Sequence, residues 1–246
     1  RRRTYVPMTD GTLDSEKNLG QLHRRLRRFA YGRAHAVIAA SQGGLALYRS
    51  YGVPEKRCFL SCLCIDNQRY ESPQAAPART WDFLFCGRLE PAKSPEFAFD
   101  VALHCAQRLG RKVRLLYAGS GSMEAALKQR GFDVVDAGGG DGQVETHFHG
   151  FAAQEALPAL YQSAKIFLFP TKADVWGVVA NEACAAGMPV LVTPHAGVSG
   201  ELIIEGKNGF VRELDIDAWT SCAIRLLQNE RRCAAFGRHS ELLVKP

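Results

Sequence analysis

A short loop that follows a predicted strand contains two cations suited to binding phosphate. The loop reads GRLEPAKS, in which Arg88 and Lys93 stand five residues apart and Ser94 follows. An arginine can hold two phosphate oxygens at once, and a lysine adds a mobile point charge. Ser94 can cap the helix that we expect next. The pattern favours a diphosphate site; the alternative is that both cations are ordinary surface charges.

A glycine-rich turn, AGSGSME, follows the next predicted strand. Glycines at this place let a ligand approach the backbone at the start of a helix. The fingerprint of dinucleotide-binding proteins needs a third glycine where Glu124 stands, and no acidic residue ends a second strand at the required spacing. Binding of NAD is therefore disfavoured, whereas another phosphorylated ligand fits.

The densest group of candidate residues is the segment 170–189, PTKADVWGVVANEACAAGMP. Asp174 ends a loop, residues 177–179 begin a predicted helix whose free amides can receive an anion, and Glu182 lies on its first turns. The alternative for Glu182 is a dipole partner near a helix start, worth on the order of a few tenths of a kcal/mol. The motif as a whole is more specific than that alternative requires.

These loops need a parallel sheet to bring them together, and the apolar pattern predicts one. Four short, continuous apolar runs are typical of strands covered on both faces: 83–86, 113–118, 166–169 and 189–193. Helical patterns separate them, at 95–109, 122–130, 154–163 and 178–186. Strands and helices that alternate in this way form a parallel sheet, and its ligands bind beyond the carboxyl ends of the strands.

The front of the chain repeats this pattern on a smaller scale. We expect a helix at 14–33, a strand at 36–39, a helix that opens at Ser41 and a strand at 57–61. Residues 71–80 are rich in alanine and proline and have no apolar periodicity, which is typical of an interdomain linker. We also expect a glycine-rich loop insertion at 138–142. Two closing helices are expected at 215–229 and 230–237.

Length and composition exclude several classes of protein. The chain has 246 residues, 46% hydrophobic and 23% charged, which excludes collagen, coiled coils and disordered tails. No apolar run reaches the roughly 18 residues of a membrane span, and the N-terminal RRR is unlike a secretion signal. There is no initiator methionine, so we expect a part of a longer protein. The eight cysteines lack metal-ligand spacing and are expected to be buried, reduced thiols.

The net charge of +6 is concentrated at the front of the chain. Residues 1–57 hold twelve Lys and Arg against four Asp and Glu, so the rest of the chain carries −2. From Arg24 to Arg33, arginines alternate with Leu22, Leu26 and Phe29 at helical spacing. Such a basic amphipathic helix is a solvated face, a surface attracted to anionic lipid, or a contact to nucleic acid. Nucleic acid is disfavoured because no aromatic stacking platform accompanies the arginines.

The order of these motifs resembles the donor-binding half of the retaining glycosyltransferases of family four. The matching stretches are GRLEPAK, AGSG, HGF, DVWGVVANEACAAGMPVLVT and GKNGF. Residues 61–70 are similar to the hinge between the two domains of that family, and residues 1–60 resemble the end of its acceptor-side domain. The resemblance implies the GT-B fold, an α/β architecture of Rossmann-like parallel sheets with helices on both faces, here with an incomplete N-terminal domain.

The resemblance also implies a division of the chain into parts. Residues 1–66 would be the end of the acceptor-side domain, 67–80 the interdomain linker, 81–214 the domain that binds the nucleotide-sugar donor, and 215–246 the closing C-terminal helices. Because the acceptor-side groups would be largely missing, we expect the chain by itself to lack transfer activity.

Residue roles carry over from the family only where the motifs match. Arg88, Lys93 and Asp174 are the implied catalytic residues, of which the two cations bind the donor diphosphate. Glu182 matches the acid that holds the ribose hydroxyls. The implied donor-binding set is Gly87, Gly119, Phe151, Trp176, Gly177, Val178, Val179 and Glu182. Asp174 departs from the family, which has Glu there, and the shorter side chain leaves its contact to the sugar and the identity of the donor open.

The implied reaction suits these residue types. Departure of a nucleoside diphosphate builds negative charge on the phosphates, and fixed cations and amides stabilise that charge most in the transition state. No DxD-like pair stands where a divalent ion could bridge the phosphates, so no metal or other cofactor is expected. Retention of the anomeric configuration is implied by the family alone. His195, without a carboxylate nearby in sequence, is predicted to be structural, and His147 and His149 to lie exposed on a strand.

The sequence therefore predicts a hexosyltransferase-type enzyme that moves a sugar from a nucleotide diphosphate sugar to a lipid-linked or polysaccharide acceptor. The alternatives are a nucleotide-sugar epimerase on the same fold and a donor-binding fragment without activity. We expect a cytoplasmic protein, held peripherally at the inner face of a membrane if the 24–33 helix binds anionic lipid.

Overall fold

The structure is a computed structural model that describes residues 3–61, 63–71, 79–136 and 144–245. Its backbone divides into two compact units. Unit 1 is Arg1–Cys64 together with Asp174–Gly177, and unit 2 is Ile65–Ala173 together with Val178–Pro246. The predicted loop insertion at 138–142, residues 72–78 of the predicted linker and Cys62 lie outside the described residues. The domain boundaries given above stay a prediction.

Unit 1 contains a parallel sheet of three short strands with two helices. The strand order is β1-β2-β3, formed by Met8–Thr9, Val37–Ala39 and Cys58–Leu60. Helix α1 is Gln21–Gly32 and helix α2 is Gln42–Ser50. As predicted, α2 opens at Ser41, whose side chain accepts a hydrogen bond from the Gly44 amide at 3.1 Å.

Helix α1 is shorter than the periodicity predicted, because the residues before Gly20 form turns. The Ser15 Oγ donates to the Thr12 carbonyl at 3.0 Å, and the Glu16 amide donates to the same carbonyl at 3.2 Å. Side chains of Ser and Thr that bond to nearby backbone compete with helix formation in this way. Gly20 then caps α1 in an extended conformation.

The arginines of α1 do not all face solvent. Arg27 donates to the buried Glu16 carboxylate and, at 3.2 Å, to the Tyr31 hydroxyl. Tyr51 donates to the other Glu16 oxygen at 3.1 Å. Arg24, Arg25, Arg28 and Arg33 are exposed. Arg27 is therefore a structural ion-pair partner, and the other arginines form the charged face of the helix.

The apolar residues of α1 lie at the surface. Leu22 is 69% exposed, Leu26 57% and Phe29 60%. The Arg33 guanidinium lies over the Phe29 ring at 3.5 Å from its centre. The structure thus presents a continuous apolar stripe flanked by arginines. Among the described residues, no helix is both long and apolar enough to cross a bilayer.

Unit 2 contains a parallel sheet, as predicted, and this sheet has six strands in the order β6-β5-β4-β7-β8-β9. The strands are β4 Trp81–Cys86, β5 Val113–Ala118, β6 Val144–Gly150, β7 Ala164–Phe169, β8 Val190–Val192 and β9 Gly209–Val211. The predicted exposure of two histidines on β6 is confirmed, since His147 and His149 both face solvent. The edge strand β9 was not predicted, because its apolar run consists of Phe210 and Val211 alone.

Helices connect these strands and cover the sheet. They are α3 Pro95–Leu109, α4 Glu124–Asp136, α5 Leu157–Gln162, α6 Val178–Ala185, α7 Ile216–Leu227 and α8 Glu230–Val244. The last helix is longer than the expected 230–237. Phe83 and Phe85 pack with α3 and α7 in one core cluster, and Leu84, between them on β4, is equally buried. Burial on both faces explains why the strands are continuous apolar runs.

A buried carboxylate anchors the start of β4. Asp82 accepts two hydrogen bonds from Arg111, at 3.0 and 3.2 Å, and one from the Arg114 amide at 3.1 Å. The Lys165 Nζ lies 3.2 Å from it. Burial alone would raise the pKa of Asp82, but the bonds from Arg111 and Arg114 together hold it below its usual value.

The start of α3 differs from the prediction. Ser94 precedes the helix, but its side chain makes no cap hydrogen bond and its backbone is left-handed, with φ +48°. Its buried hydroxyl has no hydrogen-bond partner among the described residues. A non-glycine residue in this region costs about 1–2 kcal/mol, so Ser94 strains the turn instead of capping the helix.

Replacement of this residue by glycine, Ser94→Gly, is expected to stabilise the protein by about 1 kcal/mol, because glycine adopts the left-handed region freely. Urea unfolding followed by tryptophan fluorescence measures the change. Ser94→Ala is the matched control, since it removes the unpartnered hydroxyl and keeps the strained Cβ. Equal stabilities of the glycine and alanine variants would show that the backbone strain contributes nothing.

Asp82→Asn is expected to lower the free energy of unfolding at pH 7 by about 1.5–3 kcal/mol, the range for hydrogen bonds to a charged group. The pKa of Asp82 is lower in the folded protein than the value of about 3.9 in the unfolded chain. The ionised carboxylate therefore stabilises the fold fully at pH values above the unfolded pKa, and this stabilisation is lost as the pH falls through the folded pKa. The difference between parent and variant should therefore shrink below about pH 4.

Urea titrations of both proteins between neutral and strongly acidic pH test this dependence. Asp217→Asn is the control, because Asp217 pairs with Arg108 at the surface, where an ion pair contributes about 0.2–1 kcal/mol. An Asp82→Asn difference that stays constant down to the most acidic point would contradict the assignment.

Candidate functional site

The candidate site lies in unit 2, at the carboxyl ends of β4 and β5. The two strands are paired in register, with Cys86 opposite Ala118, so the loops that follow leave the sheet side by side. The first loop carries the predicted cations, and the second is the glycine turn. Ligands of open parallel sheets bind at this edge.

Backbone hydrogen bonds join the two loops. The Gly87 amide donates to the Ala118 carbonyl at 2.9 Å, and the Leu89 amide donates to the Ser120 carbonyl at 3.0 Å. In the other direction, the Met123 amide donates to the Leu89 carbonyl at 3.0 Å. The two loops therefore form one backbone unit at the start of α4.

This close approach requires glycine at two positions. Gly119 has φ +134°, and a Cβ there would lie 1.9 Å from the Gly87 carbonyl oxygen. A Cβ on Gly121 would lie 2.4 Å from the Leu89 carbonyl oxygen. The sequence predicts that the glycine turn lets a ligand approach the backbone. In the structure, its glycines make room for the neighbouring loop.

A side-chain bond reinforces the backbone contacts. The Glu90 carboxylate accepts hydrogen bonds from the Ser122 amide at 3.0 Å and the Ser122 Oγ at 2.7 Å. The bond from the Ser122 amide is the main reason why the pKa of Glu90 is lowered. No sequence signal indicates this pair, because its two residues are distant along the chain and only the sheet brings them together.

The two predicted cations differ in their surroundings. Arg88 is exposed at the rim of the first loop. Lys93 ends a 3-10 turn and is half-buried, with its Nζ 3.4 Å from the Ala173 carbonyl oxygen and 3.5 Å from the Thr171 Oγ1. The structure thus places Lys93 next to the end of β7, while Arg88 projects towards solvent.

The segment before α6 has a defined local conformation. The Asp174 Oδ1 accepts a hydrogen bond from the Trp176 amide at 3.3 Å, and Trp176 is buried. Gly177 has φ +107°, which favours glycine at this position. In unit 2, α6 then begins at Val178, which is exposed, followed by the half-buried Val179. The amides of this first turn lack partners within the helix.

Two buried tyrosines hold the Glu182 carboxylate. Tyr70 donates to Oε1 at 2.9 Å, and Tyr161 donates to Oε2 at 2.7 Å. Burial and the negative charge of Glu182 both raise the pKa of Tyr70, so its hydroxyl stays protonated. The simple role of a dipole partner at a helix start does not account for this arrangement. No sequence signal pointed to either tyrosine.

Cys86, the residue directly before Gly87, lies near enough to Glu182 for the charge of that carboxylate to act on it. Burial raises the pKa of Cys86 to about 12, and the negative charge of Glu182 acts in the same direction, so Cys86 stays a thiol. Glu182 thus lies near the end of β4, where the first loop begins.

The loop after β6 completes this edge of the sheet. The Gly119 amide donates to the Gly150 carbonyl at 2.8 Å, so this loop adjoins the glycine turn. Phe151, which follows, is 84% exposed. An aromatic ring in solvent beside a polar edge provides an apolar surface for a ligand.

Other candidate groups have partners away from these loops. The Nε2 of His195 lies 3.0 Å from Glu213, a carboxylate 18 residues later that the sequence analysis did not connect with it. Asp215 and Asp217 have the spacing of a DxD pair, but Asp215 caps α7 and Asp217 pairs with Arg108. Within the described part of the chain, no group of three or more His, Cys, Asp or Glu is arranged to hold a metal ion.

Known proteins with similar sequences are glycosyltransferases. The chain is 31% identical over 146 residues to a D-inositol 3-phosphate glycosyltransferase of Arthrobacter, covering 58% of this chain and 33% of that protein. It is 32% identical over 161 residues to a GDP-mannose-dependent phosphatidylinositol monomannoside mannosyltransferase of Mycolicibacterium smegmatis, covering 61% and 39%. The chain spans about a third of the length of the first of these relatives.

Solved structures with the same fold are also glycosyltransferase structures. Anabaena HepE in complex with UDP superposes with a TM-score of 0.80 at 19% identity, covering 98% of this chain and 67% of that one. A Staphylococcus aureus TarM complex that contains UDP gives 0.74 at 14% identity, covering 98% and 47%. At these identities the likeness concerns the fold alone, and it confirms the predicted α/β fold class of the GT-B type.

A family model extends this similarity over most of the chain. The model of glycosyl transferases group 1 matches residues 66–242, which include both joined loops and Glu182. The expectation of a glycosyltransferase is thereby confirmed at the level of the family. The chain belongs to the family of glycosyl transferases group 1.

Proposed function

We propose that this chain binds the nucleotide-sugar donor in a retaining, hexosyltransferase-type glycosyltransferase of family four. The observation that carries the proposal is the rigid edge formed by the two joined loops, with Arg88 and Lys93 on one of them. Cations on a preorganised backbone suit the diphosphate of a donor. The carboxylate of Glu182, which two tyrosine hydroxyls hold in place, suits the ribose hydroxyls.

The proposed chemistry follows from where charge develops. As the bond between the sugar and the diphosphate breaks, negative charge grows on the leaving phosphate oxygens. Arg88, Lys93 and the amides that begin α6 would stabilise this charge more in the transition state than in the ground state. Asp174, with Trp176 and Gly177, is proposed to complete the donor site at the sugar.

The reaction is proposed to need no metal ion. Two fixed cations can compensate the charge that a divalent ion would otherwise neutralise. The acids spaced like a DxD pair, Asp215 and Asp217, are already engaged in a helix cap and an ion pair. Transfer with retention is proposed from the resemblance to family four, and an acceptor that is lipid-linked or a polysaccharide completes the proposal.

The proposal also assigns a role to each part of the chain. Residues 81–214 would bind the donor, residues 1–66 would contribute to the acceptor side, and residues 215–246 would close the fold. The chain spans only part of its relatives, so donor binding, and not transfer, is the activity proposed for it alone. Similar proteins differ in their nucleotide, since one solved complex contains UDP and one enzyme depends on GDP-mannose.

A surface attracted to anionic lipid is proposed for α1. Its apolar stripe of Leu22, Leu26 and Phe29 is more than half exposed, and exposed arginines flank it. Apolar residues can enter the boundary between headgroups and acyl chains while the arginines remain with the lipid phosphates. This arrangement supports a peripheral protein on the cytoplasmic face of a membrane, near a lipid-linked acceptor.

Loss of either cation should weaken binding of the diphosphate. Arg88→Ala and Lys93→Ala are each expected to lower the affinity for a nucleoside diphosphate by about 1.5–3 kcal/mol, the range for a hydrogen bond to a charged group. Calorimetry with UDP and with GDP measures the effect, and repetition with EDTA tests independence of metal. The loss should be smaller for UMP and GMP, which lack the second phosphate.

Lys112→Ala is the matched control for these variants. Lys112 lies just before β5, at the opposite edge of the sheet, so its removal lowers the net charge equally without touching the loops. Parent-like affinities in Arg88→Ala and Lys93→Ala would show that the diphosphate does not bind at the first loop. A requirement for added divalent ions would contradict a site without metal.

The lipid surface can be tested with arginines that have no structural role in unit 1. Arg25→Gln together with Arg28→Gln should reduce flotation with anionic liposomes, at about 1 kcal/mol for each cation near the surface. Binding should also fall as salt concentration rises. Leu22→Ser with Leu26→Ser should weaken binding through the apolar stripe. Equal flotation of all variants, or none by the parent at low salt, would leave α1 a solvated face.

A further inference from the structure

The Glu182 carboxylate has a donor on each oxygen and free acceptor capacity on both. An ionised carboxylate offers about four lone-pair sites, of which the Tyr70 and Tyr161 hydroxyls occupy two. One site on each oxygen is left for a further hydroxyl. Two adjacent hydroxyls of a ribose match two such sites, provided that the plane of the carboxylate does not rotate.

Both tyrosines are themselves held in place. Their rings pack edge to face, with centres 5.7 Å apart and an angle of 77° between the planes. The Gln162 Nε2 donates to the Tyr70 carbonyl at 3.2 Å, which secures the backbone on which that ring stands. Tyr161 is completely buried, and its ring also packs against Phe167, with ring centres 5.6 Å apart. The two hydroxyls thus approach Glu182 from fixed positions.

The hydroxyls are neutral donors, and this has a chemical consequence. An arginine in the same place would neutralise the carboxylate and compete with a ligand for it. Neutral hydroxyls orient the carboxylate and leave its negative charge available to accept further hydrogen bonds. The residues around Glu182 therefore suit a carboxylate that must keep one orientation and still accept hydrogen bonds from the hydroxyls of a ligand.

We propose that Tyr70 and Tyr161 are positioning residues that fix the Glu182 carboxylate for the two hydroxyls of the donor ribose. The proposal rests on the proposed function, which places a ribose at Glu182. The alternative is that Glu182 merely satisfies two buried hydroxyls, as buried polar groups require, and that the tyrosines serve the fold alone. The two roles differ in one measurable respect, the selectivity for ribose hydroxyls.

The experiment compares UDP and GDP with their 2′,3′-dideoxy analogues by calorimetry on the 246-residue chain. Each ribose form should bind the parent more tightly than its dideoxy form. Tyr161→Phe and Tyr70→Phe should each reduce that preference by roughly three- to tenfold, the range for one hydrogen bond, while affinity for the dideoxy analogue stays that of the parent. Glu182→Gln should reduce the preference for the ribose form at least as much.

Tyr117→Phe is the matched control. Its buried hydroxyl donates to the Pro95 carbonyl at 2.8 Å and does not touch Glu182, so it should lower stability without changing the ribose preference. Unfolding curves establish that each variant is folded. If Tyr161→Phe fails to fold, Tyr70→Phe carries the test, because Tyr70 binds the other carboxylate oxygen.

The outcomes separate this inference from the proposed function. Loss of preference in Glu182→Gln, with full preference in both tyrosine variants, overturns the inference and leaves the proposed function standing. Equal losses for ribose and dideoxy forms in the tyrosine variants also overturn it, since they indicate a role in the fold alone. Parent-like preference in Glu182→Gln, or no binding of either nucleotide by the parent, overturns the ribose site itself and the inference with it.

Discussion

The close approach of two backbone loops is the constraint on which the candidate site depends. The carbonyls of Gly87 and Leu89 occupy the space where Gly119 and Gly121 would otherwise carry side chains. This packing leaves little room for either loop to move, and it keeps the first loop at the carboxyl end of β4. Arg88 and Lys93 thus owe their position to the two glycines of the neighbouring loop, which have no side chain to keep the loops apart. A parallel register alone would bring the loops near each other but would not join them.

Asp82 and Glu182 are carboxylates of unit 2 that each accept more than one hydrogen bond, and the kind of donor distinguishes their roles. Asp82, at the amino end of β4, is surrounded by Arg111, Lys165 and a backbone amide, so its charge is compensated within the fold. Glu182 accepts from two neutral hydroxyls, and no cation among the described residues is paired with it. Compensation by cations makes a structural anchor, because the charge is already satisfied. A carboxylate held by neutral donors retains the capacity to bind a ligand.

Helix α1 shows a similar distinction among residues of one type. Arg27 turns inward to the buried Glu16 and Tyr31, whereas the arginines beside it are exposed and flank the apolar stripe. The charge pattern of the sequence does not distinguish Arg27 from the arginines beside it. The loop before the helix decides the difference, because it supplies the buried carboxylate that Arg27 meets.

The amino-acid sequence by itself determined the α/β class, the parallel sheet of unit 2, the places of the two loops at its edge and the likeness to glycosyltransferases. These features depend on local patterns, since a strand buried on both faces must be apolar throughout and the loops must follow its carboxyl end. Helix starts were less predictable: Ser94 has the right residue type for a cap, yet its backbone is left-handed.

Only the tertiary structure decided which distant residues meet. Tyr70 and Tyr161 reach the Glu182 carboxylate from separate segments, and Glu90 reaches Ser122 across the sheet. Tyrosine and glutamate have no spacing rule that would reveal such a contact, because the register of the sheet and the packing of α5 and α6 bring them together. The residue types at the site were therefore legible in the sequence, whereas the hydrogen bonds that orient them depended on the fold.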